Sequence, residues 1–124
     1  MRKLTLKKCF KCGALIKIID DCNCENCGIK CCDEAMKVIT SNSVDASFEK
    51  HVPTYERKDG KLIVKVNHVM DEDHYIEWVC LVTDNTEEYK YFKPGEELLC
   101  EFNDPKNGII YSYCNKHGLW EKEI

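Results

Sequence analysis

The 124-residue chain, with a formal net charge of −4, 32% charged and 44% hydrophobic residues, has room for one modest core, or for a small module joined to a domain of about 80–90 residues. The negative balance argues against gripping phosphate backbones, so no nucleic-acid partner is expected, and no apolar run approaches the roughly 20 residues of a membrane span. The opening "MRKLTLKKCF" is basic but lacks the apolar stretch of a secretory signal, so a cytoplasmic address is expected.

Ten cysteines stand out, and in a reducing compartment they point to metal thiolates rather than to a disulfide framework. Seven of them fall between Cys9 and Cys32, whereas all four histidines lie in the remainder. The chain thus has a sulfur-rich head and a histidine-bearing body.

The head reads "CFKCGALIKIIDDCNCENCGIKCC" from residue 9 to residue 32. It is too short to bury a core of its own, so a metal must supply much of its folding free energy. "ALIKII" is its strand-like run. Two C-x-x-C knuckles, Cys9–Cys12 and Cys24–Cys27, would together make an ordinary rubredoxin-like or zinc-ribbon site. With Cys22, Cys31 and Cys32 added, the thiolates could hold an iron–sulfur cluster. A polar stretch from Thr40 to Asn42 reads as a linker.

The body shows period-two patterning. "VPTYERKDGKLIVKVN" predicts a hairpin turning at Asp59-Gly60, with Leu62, Val64 and Val66 inward and Lys61, Lys65 and Asn67 outward. "YIEWVCLVT" predicts a strand with Ile76, Trp78, Cys80 and Val82 on one face. "EYKYFK", "ELLCEF" and "IIYSYC", the last expected strand, complete an antiparallel β-sandwich. No stretch predicts a helix. Cys80 and Cys100 are expected as small core hydrophobes, and Trp78, Trp120 and the tyrosines as packing residues.

His51, His68, His74 and His117 are all expected at strand ends or in loops, where a rigid sheet presents functional groups. "YCNKHG" places Cys114 three residues before His117, a spacing at which one turn can aim sulfur and imidazole at one ion. Imidazole suits zinc, copper, iron and nickel alike, so the ligands alone do not choose the metal. "FEKHVP" sets Glu49, Lys50 and His51 side by side, with Pro53 stiffening the exit.

The segments "SVDASFEKHVP", "NHVMDEDHYIEW" and "YCNKHGLW" together resemble the superoxide reductases of the desulfoferrodoxin and neelaredoxin family over about residues 43–120. "CFKC" followed by "CCDEAMK" resembles the desulforedoxin module that precedes the catalytic domain in desulfoferrodoxins. The resemblance implies a mainly β protein: a desulforedoxin/rubredoxin-like metal module over residues 1–38, then an immunoglobulin-like β-sandwich catalytic domain over residues 39–124. It implies a catalytic mononuclear non-haem iron held by His51, His68, His74 and His117, with Cys114 as axial thiolate. It implies Lys50 as the cation that draws in superoxide and Glu49 as the carboxylate that occupies the sixth position once product has left. A second iron would sit on Cys9, Cys12, Cys31 and Cys32, with Cys22, Cys24 and Cys27 as alternative ligands, and zinc or an iron–sulfur cluster as alternative occupants. The implied reaction is one-electron reduction of superoxide to hydrogen peroxide, fed by a rubredoxin-like donor, in a homodimer. One departure from the family pattern is Val69, where proline usually follows the second histidine. The competing readings are a zinc-ribbon interaction module on a non-catalytic β domain, and an iron electron carrier that does not turn over.

Overall fold

The computed structural model describes residues 2–23 and 28–124; Cys24 and Cys27 lie outside the described residues. The chain divides into two compact units, Lys3–Thr40 and Ser41–Ile124 with Arg2.

The first unit is built on a three-stranded antiparallel sheet in which β1 (Leu6–Lys8) lies between β2 (Leu15–Lys17) and β5 (Lys37–Val38). A two-residue hairpin, β3 (Lys30–Cys31) and β4 (Glu34–Ala35), turns through Cys32 and Asp33, both at positive φ (54° and 62°). That left-handed pair is the geometry of a tight hairpin turn, and here it is occupied by non-glycine residues. The apolar interior is small, with Leu4, Leu6, Cys9 and Met36 buried. Lys7 is also buried and pairs with Asp21 at 2.9 Å, as a lysine removed from water must.

The second unit is an antiparallel sandwich. One sheet has the order β10 (Leu99–Asn103), β7 (Lys61–Lys65), β6 (Thr54–Lys58); the other has β12 (Gly118–Glu123), β11 (Ile109–Cys114), β8 (Ile76–Val82), β9 (Glu87–Tyr91). The β6–β7 hairpin forms as expected: Asp59 (φ 52°) and Gly60 (φ 76°) supply two successive positive-φ residues, matching the twist of the flanking strands. Leu62, Val64 and Val66 then meet Ile76, Val79, Leu81, Ile110 and Cys114 in one core cluster, and Cys100 packs against it.

Three features differ from the sequence expectations. Ile76 does not share a face with Trp78, Cys80 and Val82. Tyr113 pairs with Trp78 but Cys114 pairs with Ile76, so Glu77 is an extra residue, and the alternation flips there. Ile76 therefore joins Val79 and Leu81 in the core, while Trp78, Cys80 and Val82 point to the other side of the sheet, where Cys80 is nonetheless fully buried. The second difference is a single helical turn, α1 (Phe48–His51), which puts His51 at the end of a helix. The third is β12, an added strand that pairs with β11 along its length and carries the buried Trp120.

Candidate metal centres

Five side chains from four stretches of the second unit converge. His51 ends α1, His68 follows β7, His74 sits in the loop before β8, Cys114 ends β11, and His117 closes the turn into β12. One ligand-capable atom from each lies within 4.8 Å of all the others. The four imidazoles form a closed ring, His51–His68–His74–His117, with neighbouring centroids 4.6–5.1 Å apart and each pair meeting edge to face.

The protein fixes which nitrogen of each ring turns inward. The Nδ1–H of His51 donates to the Ser47 carbonyl (2.6 Å), and that of His68 donates to the Val69 carbonyl, which leaves both Nε2 lone pairs free. Cys114 Sγ lies 3.4 Å from His68 Nε2 and 3.8 Å from His117 Nδ1. His51 Nε2 lies 3.0 Å from His117 Nδ1. With the His51 proton committed to Nδ1, two nitrogens this close must share either a proton or a cation. His74 Nε2 is buried with no hydrogen-bond partner, a costly state unless an ion satisfies it.

Burial is the leading cause of the lowered pKa of His51, His68 and His74, so these imidazoles are held neutral, the form that ligates metal. Burial likewise pushes the Cys114 thiol up, opposed by backbone N–H groups, among them that of His117, 3.3 Å from Sγ. A bound cation would reverse that balance and hold a thiolate.

Each member is braced from outside the ring. His74 is held by a miniature bridge to Asp71, and Asn115, in the turn after Cys114, accepts from the Tyr75 N–H and donates to the Asp73 carbonyl. The Ser112 hydroxyl donates to the His51 carbonyl at 2.7 Å. Trp120 stacks on the His51 ring (4.7 Å, 25°), takes the Phe48 ring edge-on at 5.2 Å, and donates its indole N–H to the His117 carbonyl. A four-residue helix cannot sustain itself, and Ser47 makes no side-chain cap. Trp120 clamps that turn through Phe48 and His51, which share a face by their three-residue spacing. Trp120, expected from the sequence as a packing residue, thus also braces the site, and its place three residues after His117 is the local signal of that role. Glu49 and Lys50 are exposed on α1 beside His51 and lie outside the convergent donor set; the charge of Lys50 further disfavours a proton on His51.

The first unit holds a second donor group, Cys9, Cys12, Cys31 and Cys32. Gly13 (φ 83°) closes the knuckle, its N–H donating to the Cys9 carbonyl at 2.8 Å. Cys12 and Cys31 sulfurs are 3.5 Å apart, and those of Cys31 and Cys32 are 3.9 Å apart. The Cys12 backbone N–H pulls the Cys9 thiol down to about 7, while hydrogen bonding with Cys12 is the leading cause that pushes Cys31 up to about 12. Four sulfurs gathered in this way could hold a second metal ion. Cys22 is exposed and stands outside this group.

Residues 43–123 match the model of the family described as Desulfoferrodoxin. The chain belongs to the desulfoferrodoxin family. It is 36% identical over 118 residues to a desulfoferrodoxin homolog of Archaeoglobus fulgidus, covering 92% of each chain. It is 36% identical over 125 residues to a desulfoferrodoxin of Desulfarculus baarsii, covering 98% of this chain and 97% of that one. Among solved structures, the superoxide reductase from Treponema pallidum matches with a TM-score of 0.72 at 27% identity, over 98% of this chain and 99% of that chain. Desulfoferrodoxins are iron proteins, and both donor groups fit that metal: the orphaned His74 nitrogen and the facing His51 and His117 nitrogens call for a cation, and four thiols suit a second one.

Proposed function

We propose that this desulfoferrodoxin is a superoxide reductase, with His51, His68, His74, His117 and Cys114 holding the catalytic iron. The observation that supports it most is the ring of four imidazoles backed by one buried sulfur, a donor set that would hold an iron and leave it accessible to a small anion. When bound, the iron supplies the single electron that, with two protons, converts superoxide to hydrogen peroxide.

The chain's own groups account for the rest. Neutral imidazoles leave the ion's charge largely uncancelled, which favours an anionic substrate. Cys114 would supply electron density to an iron held there, and the backbone N–H groups aimed at its sulfur would moderate that donation. Lys50, exposed beside His51 in a chain of net charge −4, gathers superoxide locally and holds the water that delivers a proton. Glu49, on the same turn, is the carboxylate that would close the site once product has left.

Residues 1–38 form the desulforedoxin-like module, with a second iron on Cys9, Cys12, Cys31 and Cys32, and residues 39–124 form the catalytic domain. Turnover draws electrons from a rubredoxin-like donor, and the working form is a cytoplasmic homodimer.

Metal analysis with an oxidised-minus-reduced visible spectrum tests the assignment. Two irons per chain are expected, with two sulfur-to-iron charge-transfer contributions: that of the body iron vanishes in Cys114→Ser, while that of the four-thiolate head site remains. Two zinc ions, or a spectrum unchanged by the substitution, would remove it.

A further inference from the structure

The face of the β12-β11-β8-β9 sheet turned away from the sandwich core carries a continuous row of rings. Tyr113 on β11 stacks on Trp78 of β8, with centroids 5.5 Å apart and planes 9° from parallel. Trp78 meets Tyr89 of β9 edge-on at 5.4 Å, and Tyr89 stacks on Tyr91 at 6.0 Å. One end of the row, Tyr91, is 74% exposed; the other, Tyr113, is the covalent neighbour of Cys114. Cross-strand packing favours aromatic residues here but does not choose among them. All four positions hold tyrosine or tryptophan, the aromatic side chains that give up an electron most readily.

We propose that Tyr113, Trp78, Tyr89 and Tyr91 form a one-electron exit route that carries oxidising equivalents from the iron held by Cys114 to the surface. The inference rests on the iron-site reading above. Hydrogen peroxide, the product of that reaction, is itself an oxidant, and each molecule takes up two electrons and two protons to become two waters. Ferrous iron supplies one electron in becoming ferric, so the second must come from the protein. Without a route it comes from the Cys114 sulfur, whose oxidation destroys the ligand. With the route it comes from Tyr91, which sheds its phenolic proton to solvent. The sum is ferrous iron, one tyrosine, one hydrogen peroxide and one proton giving ferric iron, one tyrosyl radical and two waters. Proton loss falls to Tyr91 because it is the member of the row that is open to solvent. The direction follows from redox chemistry: a mild reductant cannot use these rings as stepping stones, but a strong oxidant can.

The test mixes the reduced, iron-loaded full chain with hydrogen peroxide, without superoxide or donor, and freezes it for electron paramagnetic resonance. Mass spectrometry then locates oxidation at Tyr91 and Cys114. A tyrosyl radical that disappears in Tyr91→Phe is expected. Trp78→Phe keeps a ring in the stack but resists oxidation, and should lose most of the Tyr91 radical while sulfinic acid at Cys114 rises. Trp78→Tyr should restore the radical, which separates conduction from packing. An undiminished Tyr91 radical in Trp78→Phe, or Cys114 oxidation that is equal in all variants, would overturn the route. Superoxide consumption measured on the same samples reports the iron-site reading separately, so failure of the route is distinguished from failure of that reading.

Discussion

The two donor groups are built on opposite terms. In the second unit the ligand-bearing residues hang on a sandwich with its own core, and Cys114 and His51 are themselves buried. In the first unit the core is a handful of residues, and Cys12 and Cys32 are exposed. Histidine pKa values in the body are moved chiefly by desolvation, whereas Cys31 and Cys32 in the head are moved chiefly by hydrogen bonding with the Cys12 thiol. A site made by its scaffold survives without its ion. A site that makes its scaffold does not.

Metal removal should expose that contrast most strongly. Because binding at thiolate sites is worth on the order of 10 kcal/mol of folding free energy, stripping both ions should abolish hydrogen-exchange protection of β1, β2 and β5. The amides of β8 and β11 should stay protected. Equal loss in both units would show that the body, too, needs its metal to fold.

Trp120→Phe is expected to come next. It keeps a ring against His51 but loses the N–H donated to the His117 carbonyl, and such outer partners are typically worth about 10–100-fold in metal affinity. Chelator competition should show that loss at the body site while the head site holds its ion unchanged. Ser112→Ala leaves the buried His51 carbonyl without its donor, and should cost about 1–3 kcal/mol in denaturant unfolding of the sandwich.

Acid should also divide the units. In the metal-free body, His51, His68 and His74 have folded pKa values below their unfolded ones. Their contribution to stability is therefore full above about pH 6.5 and is lost as pH falls through that value and the lower folded ones. Unfolding midpoints of the apo protein should drop across that window, and replacing His74 with Gln should flatten the drop.

Much of this was legible in the sequence because chemistry and period coincided. The Asp59-Gly60 turn, the alternating Leu62, Val64 and Val66, and the cysteine and histidine positions each carry local signals, and the fold brings the five body donors together. What escaped is non-local. The turn α1 has no helical period of its own; it exists because Trp120, far along the chain, accepts Phe48 and His51. The face of Ile76 is set by the extra residue Glu77, a register shift that depends on pairing with β11. Strand β12 sets Leu119 and Trp120 side by side before a charged end, with no period-two alternation, so its pattern reads as a tail until β11 supplies a partner.

The smallest expected effect belongs to the exposed turn. Lys50→Ala should slow the encounter with superoxide by about tenfold, at the low end of what charge focusing gives, and should flatten its dependence on ionic strength. An unchanged rate would assign the attraction to the metal alone.

The most direct measurement is anaerobic rapid mixing of the reduced protein with superoxide, following the sulfur-to-iron band together with hydrogen peroxide and dioxygen. One hydrogen peroxide per superoxide consumed, appearance of the ferric band of the iron on Cys114, and no dioxygen are expected. Superoxide decay with the body iron unchanged, or dioxygen released alongside peroxide, would contradict the superoxide reductase assignment.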